Sequence, residues 1–589
     1  MVTYADRPWT KRYDPGVPAT LEPYPNKVLH DFLREAAQKS PNNVALLTQL
    51  KAPLVGRQAH PTTYGELDRS SDALAAALVD MGLKKGDRVV LVMPNCVAFV
   101  ISYYAVLKAG GVVSAANPTY PPDKLQFQIN DSGAEYAITL SLFYKTIQQI
   151  RANTRIKTVI VTNIKEYFPP AIKLLFTLAR EKKEGHRVEL QAGDHFLQDL
   201  LKKYDGRKPN VQVTPEDLAI FQYTGGTTGV SKAAMATHKA LVANMLQMQA
   251  PLSVDNVPGT SEVLLGAIPM FHSFGMVAVL GFAVSIGAKV VLVLNARDID
   301  DVLGAIHTFK PTLFHGVPAL YNAINNHPDV KSGKISLKSI RACISGSAPL
   351  PPATKEEFER LSGAKLIEGF GMSEAPTASH VNPLRGENRT GSIGLPLPDM
   401  DMRIVSLDDG ETDVPVGEVG ELLMSGPQLM VGYHGMPTET ANVLREKDGK
   451  MWLYTGDIAR MDEDGYFYIV DRKKDMALIG GFNVYPNVVE KVIKDHPAVL
   501  EVGVAAVPHP EKQGQEALKA WVVLKEGQAA TEKDLIDHCS QHLARYEVPT
   551  RFAFVKELPK TTVGKTLRRE LVQMELAERE KAANKQATV

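Results

Sequence analysis

Residues Tyr223 to Lys232 read Tyr-Thr-Gly-Gly-Thr-Thr-Gly-Val-Ser-Lys, and this stretch concentrates anion-binding chemistry. Gly225, Gly226 and Gly229 let the backbone approach a ligand and turn its N–H groups toward an anion. Thr224, Thr227 and Thr228 add hydroxyl donors, and Lys232 adds a point charge suited to phosphate oxygens. A Walker loop is excluded, because Val230 and Ser231 separate the last glycine from the lysine. The apolar run Leu218-Ala219-Ile220-Phe221 before it reads as a strand, so the loop leaves a strand end. A solvated Gly/Thr turn is the competing reading, since such turns are common; phosphate binding is the one taken.

Other residues of chemical interest have ordinary readings when each is met alone. Glu374 after Ser373 suits the start of a helix, where carboxylates are favoured. Phe370 between Gly369 and Gly371 reads as core. His272, on an apolar stretch, reads as a satisfied interior histidine. Asp457 reads as a turn residue before a strand. Lys565 has Lys560, Arg568 and Arg569 nearby and reads as part of a solvated basic run.

The elements that must hold these residues alternate. Thr63-Tyr64-Gly65-Glu66-Leu67 opens a helix that Gly82 closes, and RVVLVMPN follows as a buried strand. CVAFVISYYAVLKAG is a helix, GVVSAANP a strand, PPDKLQFQINDSG a helix from paired prolines to Gly133, and AEYAITL a strand. Such βα alternation predicts parallel sheets covered by helices, and the pattern returns over 263–350. From about 400 to 470, short strands and Gly/Pro turns predict a small β region. Residues 471–475, Asp-Arg-Lys-Lys-Asp, read as a linker to a compact α+β unit whose last helix starts at Thr531, before a charged, fraying tail. The organisation expected is a large N-terminal unit over 1–470, a hinge at 471–475 and a small mobile C-terminal unit over 476–589.

The composition agrees. The 589 residues exceed one typical domain. Lys plus Arg and Asp plus Glu each number 66, so no overall basic field argues for nucleic acid. The three cysteines, Cys96, Cys343 and Cys539, lie far apart, which excludes a disulfide scaffold and a Cys-rich zinc module and suits a reducing compartment. The N-terminus lacks an apolar signal region, so the cytoplasm is expected. Phe274–Leu294 is long enough to cross a membrane, but Gly275, Gly281, Gly287 and Lys289 interrupt it; a buried helix followed by a strand is expected. YFPPAIKLLFTLAREKKEGHR, inside 165–210, suits a surface helix packed on the body, with a membrane-surface helix as the alternative.

The phosphate loop resembles the signature of the adenylate-forming enzymes: acyl-CoA synthetases, firefly luciferases and nonribosomal peptide adenylation domains. PMFHSFG at 269–275, GSAPL at 346–350, EGFGMSEA at 368–375, YTGDIAR at 454–460, DRKKDMALIGGFNVYP at 471–486 and PKTTVGKTLRRE at 559–570 match in the family's order. The likeness covers about residues 28 to 575, and within the family it is nearest to the bacterial long-chain fatty-acid:CoA ligases. It implies ATP-dependent joining of a long-chain fatty acid to coenzyme A through an acyl-adenylate, with ATP and coenzyme A as co-substrates and Mg²⁺ as cofactor.

It also implies roles. Tyr223 and Thr224 to Gly229, with Lys232, would hold the β- and γ-phosphates; Glu374 and Thr224 would bind Mg²⁺, a hard cation that takes oxygen ligands. Phe370 would stack on adenine within Glu368, Gly369, Gly371, Met372 and Ser373, and Gly346, Ser347 and Ala348 would form the other wall. Asp457, reinforced by Arg472, would take the ribose hydroxyls, and His272 would sit at the carboxylate end of the acyl pocket. Lys565 would bridge the carboxylate and the α-phosphate, offsetting their repulsion. Lys474 would mark the hinge on which the small unit turns, bringing Gly480, Gly481 and Phe482 in as a channel for the pantetheine arm. Ser231 stands where many members have proline, and Ala233 where a glycine follows the lysine; both flank the Gly/Thr core.

Chain length of the acid is open: medium-chain or aryl acids suit the same chemistry, as does transfer of the acyl group to a carrier protein. Luciferase-type oxygenation has no feature that demands it. A non-catalytic lipid-binding relative would show a broken loop or lysine, and both are intact. Contact with the inner face of the membrane and a homodimer are further expectations.

Overall fold

The computed structural model describes residues 2–52, 56–224, 231–252, 261–479, 482–509, 515–560 and 566–587. Two large sheets organise its N-terminal part. An eight-stranded sheet runs, edge to edge, through Gly432–Tyr433, Ala233–Thr237, Leu218–Tyr223, Val112–Ala116, Arg88–Val92, Tyr136–Leu140, Thr158–Thr162 and His195–Phe196. A nine-stranded sheet runs through Leu395–Pro396, Ala375–Val381, Lys365–Met372, Ala342–Ser345, Leu313–Gly316, Val263–Gly266, Lys289–Leu292, Val44–Ala52 and Gly56–Thr63. Both are parallel in the middle and antiparallel at ends that carry hairpins.

Alternation along the strands sets the layers. Val89 and Leu91 face an interior shared with Leu264, Val290 and Leu292 of the other sheet, whereas Val90 and Val92 face Ile129 and Ile147 on outer helices. Leu265 and Val291 likewise turn to Ile306 and Phe358. Helices Tyr64–Asp80, Val97–Lys108 and His238–Leu252 fill the layer between the sheets, so the architecture is helix, sheet, helix, sheet, helix. A helix between two sheets must be apolar all round, and every residue of Val97–Lys108 is buried. Thr63 starts the first of these helices as predicted, its hydroxyl accepting from the Glu66 N–H while the Glu66 carboxylate accepts from Thr63. Phe274–Leu294 is interior too: a π-helix Phe274–Gly281 continues as Phe282–Ser285, Gly287 turns at φ +68°, and Lys289–Leu292 is a central strand. No helix among the described residues is long and apolar enough to cross a membrane.

The β-rich region is a five-stranded antiparallel sheet of Asp401–Val405, Gly420–Ser425, Leu444–Lys447, Lys450–Met461 and Phe467–Arg472. The short strand Gly432–Tyr433, expected within it, instead pairs with Ala233–Thr237 and closes the edge of the eight-stranded sheet. Beyond Arg472 a three-stranded sheet, Val499–Pro508, Glu516–Leu524 and Arg551–Phe554, carries helices Pro486–Lys494 and Glu532–Ser540 on one face and Leu571 of Arg568–Ala587 on the other. The tail was expected to fray along its length. Its first turns are packed: Leu571 and Glu575 are buried, and Glu575 takes the Lys519 ammonium and the Arg551 guanidinium, the latter at 2.6 Å.

Candidate functional site

Strands Leu218–Tyr223 and Ala233–Thr237 pair antiparallel, so residues 224–232 connect a hairpin. The Thr224 N–H donates to the Lys232 carbonyl at 2.9 Å and closes its base. The Ser231 hydroxyl donates to the Thr224 carbonyl, so the serine that departs from the family pattern ties the loop's two ends. Tyr223 anchors the strand end from below, donating to Asp131 at 2.7 Å. Gly225, Gly226, Thr227, Thr228 and Gly229 lie outside the described residues.

Lys365–Met372 carries the second group. Its neighbour Ala375–Val381 returns antiparallel with Met372 opposite Ala375, so Ser373 and Glu374 form a hairpin tip rather than the start of a helix. Gly371 is required where the two strands cross: a Cβ there would lie 1.7 Å from the Thr377 carbonyl oxygen. Glu374 accepts from the Tyr433 hydroxyl at 2.7 Å. Burial and this carboxylate together keep the phenol protonated. The Lys232 ammonium lies 5.1 Å from the centre of the Tyr433 ring and pairs with Glu439. Tyr433 thus joins the end of the candidate phosphate loop to the candidate metal carboxylate across two sheets. Neither Tyr433 nor Glu439 had a sequence signal, because both come from a strand and helix some sixty residues past Glu374.

One cavity, about 590 Å³ of empty space with its mouth included, is lined by His272, Phe274, Gly346, Ser347, Phe370 and Met372 among others. Its wall is mostly apolar with a few polar groups, as in small-molecule sites. Met248, Leu252, Val381 and Leu397 extend it away from the polar residues. Gly346 passes against the Phe274 ring, where a Cβ would sit at 3.3 Å, and Ser347 takes φ +71°, a left-handed conformation strained for serine. Ala348, half-buried, follows on the same turn. Phe370 meets His380 edge to face at 5.9 Å. Glu368, in the middle of the strand, accepts from the Leu350 N–H at 3.3 Å. Part of its surface still reaches solvent, yet the protein packed around it pushes the carboxyl up to about 8.

The third group comes from Lys450–Met461 and Phe467–Arg472. Asp457 lies within the first strand, not in a turn, directly opposite Arg472, whose Nε reaches its Oδ1 at 3.0 Å. Its Oδ2 is buried with no hydrogen-bond partner among the described residues. An orphaned carboxylate oxygen is costly, and a hydroxyl donor there would satisfy it. Lys474 lies two residues beyond Arg472. Burial and the Arg472 charge lower its pKa, against the pull of Asp475, Asp457 and Glu374. Although its side chain keeps an exposed flank, its ammonium therefore feels the carboxylates of the second and third groups alike. Phe482 lies apart from these groups, exposed and stacked on Tyr546 at 4.4 Å. Gly480, Gly481 and Lys565 lie outside the described residues.

Sequence reasoning also missed a clasp beside the linker. Arg568, taken above as one of a basic run, donates to the Val504 carbonyl at 3.0 Å and pairs with Glu490 at 2.8 Å, Asp475 at 3.1 Å and Asp471 at 3.6 Å. Asp471 in turn accepts from the Asn487 N–H at 2.8 Å.

Comparison with known proteins bears on this arrangement. Residues 33–434 match the family model of the AMP-binding enzymes, and residues 488–565 match the AMP-binding enzyme C-terminal domain. A long-chain-fatty-acid–CoA ligase of Bacillus subtilis is 39% identical over 97% of this chain and 98% of its own length. Among solved structures, ATP-bound MatB from Rhodopseudomonas palustris superposes with a TM-score of 0.77 at 26% identity, over 93% of this chain and 99% of that one. The anthranilate CoA ligase AuaEII in complex with anthranoyl-AMP gives 0.77 at 26% identity, over 97% and 98%.

Proposed function

The chain belongs to the AMP-binding enzyme family, and from that premise we propose that it is an AMP-forming long-chain fatty-acid:CoA ligase. The observation that carries the reading is the meeting of an apolar cavity and polar groups on one strand. Phe370 and Met372 line the cavity, while Glu374, just beyond the same strand, reaches Tyr433 beside Lys232. An acid with a long apolar tail and a triphosphate need those two environments side by side. The likeness to the B. subtilis long-chain-fatty-acid–CoA ligase over nearly the full length of both chains supports the choice of acid.

The chemistry assigned to the residues is as follows. A carboxylate oxygen is a poor leaving group, so the acid's carboxylate attacks the α-phosphate of MgATP; the bond to pyrophosphate breaks and a mixed anhydride with AMP forms. The coenzyme A thiol passes its proton to solvent and its sulfur attacks the acyl carbon, and AMP leaves with the electron pair of the broken anhydride bond. The first step joins two anions, so the site's work is charge neutralisation and alignment. Lys232 and the 224–229 loop hold the β- and γ-phosphates. Glu374 and the Thr224 hydroxyl offer oxygen donors to Mg²⁺, which suits a cation bound by one or two protein oxygens together with phosphates. The adenine lies between Phe370 and Gly346–Ala348, flanked by Gly369, Gly371 and Ser373, and Asp457 Oδ2 accepts from the ribose. His272 faces the acid's head and Lys565 bridges the two anions. A turn about Lys474 then replaces Lys565 by the Gly480–Phe482 segment for the thioester step. Residues 1–470 and 476–589 act as the fixed and moving units.

The enzyme works in the cytoplasm on fatty acid, ATP and coenzyme A, without nucleic acid. Contact with the membrane's inner face and assembly as a homodimer belong to the same reading. Medium-chain or aryl acids are the second reading, favoured by the likeness to an anthranilate CoA ligase. A pyrophosphate-release assay over acids from acetate to oleate decides between them: long chains should give the highest kcat/KM. A maximum at medium-chain or aromatic acids would transfer the reading to those substrates. Acyl-adenylate formation without thioester on free coenzyme A would indicate a carrier-protein acceptor. No pyrophosphate with any acid would end it.

A further inference from the structure

Strands Thr158–Thr162 and His195–Phe196 pair in parallel at the edge of the eight-stranded sheet, and residues 163–194 form the excursion between them. Pro170–Ala179 is the helix of that excursion, begun by paired prolines. One side is fastened down. Phe176 is buried, edge-on to Phe168 at 5.4 Å and to His186 at 5.6 Å. Beyond the helix, buried Glu181 accepts from Asn163 at 2.8 Å and pairs with Lys165 at 2.7 Å. The helix is therefore built to stay on the body.

Its other side is apolar and uncovered. Leu174, Leu175 and Leu178 fall at helical spacing on one stripe and are 61%, 63% and 78% exposed, the three most exposed large apolar side chains among the described residues. Leu142, 46% exposed, adjoins the turn after the helix, where a Cβ on Gly185 would meet it at 3.8 Å. Lys182, Lys183 and Arg187 follow on that turn, all exposed, with no ion pair recorded for them among the described residues, whereas Lys173 and Arg180 are paired with Glu166 and Glu184. Three leucines in water beside three unpaired cations match a surface that is apolar beneath and anionic on top.

We propose that the helix Pro170–Ala179 docks this protein on an anionic lipid surface, its leucines among the acyl chains and Lys182, Lys183 and Arg187 among the headgroups. Ten residues rise about 15 Å, half the hydrocarbon core, so the helix lies in the interface plane and does not span it. A second copy of the chain fits less well: the patch is of the order of a few hundred Å², below the roughly 800 Å² per partner of a stable interface. The inference deepens the reading of a long-chain substrate, which partitions into the bilayer where this helix would hold the enzyme.

The test is co-sedimentation of the full chain with vesicles of phosphatidylcholine alone and of phosphatidylcholine mixed with phosphatidylglycerol, at low and high salt. Binding should favour the anionic vesicles and weaken with salt. The Leu174→Ser/Leu175→Ser/Leu178→Ser variant should lower the bound-to-free ratio by about tenfold or more, and Lys182→Ser/Lys183→Ser/Arg187→Ser should lower it on the anionic vesicles alone. Absence of wild-type binding, or equal binding by both variants and the wild type, overturns the proposal. So does a wild-type dimer in sedimentation velocity that the leucine variant abolishes, since the face would then be an interface between copies. Pyrophosphate release with dissolved octanoate and no vesicles should be unchanged in the leucine variant. A wild type that binds vesicles but turns over no acid would refute the ligase reading and leave docking standing.

Discussion

Replacing Arg568 by alanine should cut the tie between the linker and the segment that carries Lys565, three residues earlier. The guanidinium is 15% exposed and serves a fully buried Asp471, with Asp475 and Glu490 alongside. Burial alone would lower the arginine's pKa; Glu490 and Asp471 override it and hold the pKa above its ordinary value. Burial in turn pushes the Glu490 and Asp471 carboxyls up, against the pull of Arg568. Removing the cation leaves these carboxylates interior and uncompensated, a change that costs about 3–5 kcal/mol when a buried pair is broken. On a total stability of about 5–15 kcal/mol, that is enough to let the C-terminal unit open locally.

Trp521, fully buried in the three-stranded sheet, provides the signal. Urea unfolding followed by its fluorescence, with Trp9 and Trp452 replaced by phenylalanine, should show an early transition in Arg568→Ala. Limited proteolysis should cut after residue 475 sooner than in the wild type. Arg568→Lys keeps the charge but not the fork and should fall between the two. Adding Glu490→Gln to Arg568→Ala should recover part of the loss, because one uncompensated carboxylate is gone. An unchanged urea midpoint in Arg568→Ala, or no recovery in the double variant, would refute the view that charge compensation holds this junction.

Asp457→Asn should raise the KM for ATP by about 10- to 150-fold, the worth of a hydrogen bond to a charged acceptor at about 1.5–3 kcal/mol; an unaltered KM in ATP–pyrophosphate exchange would remove Asp457 from the nucleotide site. Lys565→Ala should abolish acyl-adenylate formation while sparing thioester synthesis from supplied acyl-AMP, and equal loss of both half-reactions would contradict that division. Burial lowers His238 and His315 to about 4 and His380 to about 3, below the 6.5 of an exposed ring. Their contribution to stability is complete above pH 6.5 and lost as pH falls toward 4, each by up to about 1.4 kcal/mol per pH unit. Glu368, raised from 4.5 to about 8, acts in the opposite sense: its contribution is complete below 4.5 and lost as pH climbs through 8. Urea midpoints measured across pH should form a dome, and Glu368→Gln should flatten its alkaline limb; an alkaline limb identical to the wild type would count against a raised Glu368 carboxyl.

How much of this was readable beforehand follows from the range of each interaction. The βα alternation, the Thr63 cap and the buried character of Phe274–Leu294 are properties of short windows, where spacing and capping act within a few residues. The motifs that carry the site residues are local too, and His272, Gly346, Ser347, Phe370 and Met372 do meet around one cavity. What a window cannot contain is the partner across the fold. Glu374 read as a helix start because a carboxylate after serine favours one, but Ala375–Val381 is drawn into the sheet beside Lys365–Met372, and the glutamate becomes a hairpin tip. Gly432–Tyr433 read as part of the β region for the same reason, until the free edge of Ala233–Thr237 supplied a closer partner.

Arg568 makes the limit plainest. Its neighbours Lys560 and Arg569 give the look of a solvated basic run, and by charge count alone that is the better reading. The acids that claim it stand 78 to 97 residues earlier, and only the packing of Pro486–Lys494 against Phe467–Arg472 brings them to one point. Burying four charged groups there is costly unless they are mutually satisfied, so the cluster persists only while the C-terminal unit stays closed on the linker. The charge cluster adds to the apolar contacts of Ala477, Val489 and Ile493, which already fix the linker to the C-terminal unit. Buried pairs are screened far less than exposed ones, so salt that weakens the surface pairs should leave the cohesion of this junction nearly unchanged in urea unfolding of the wild type.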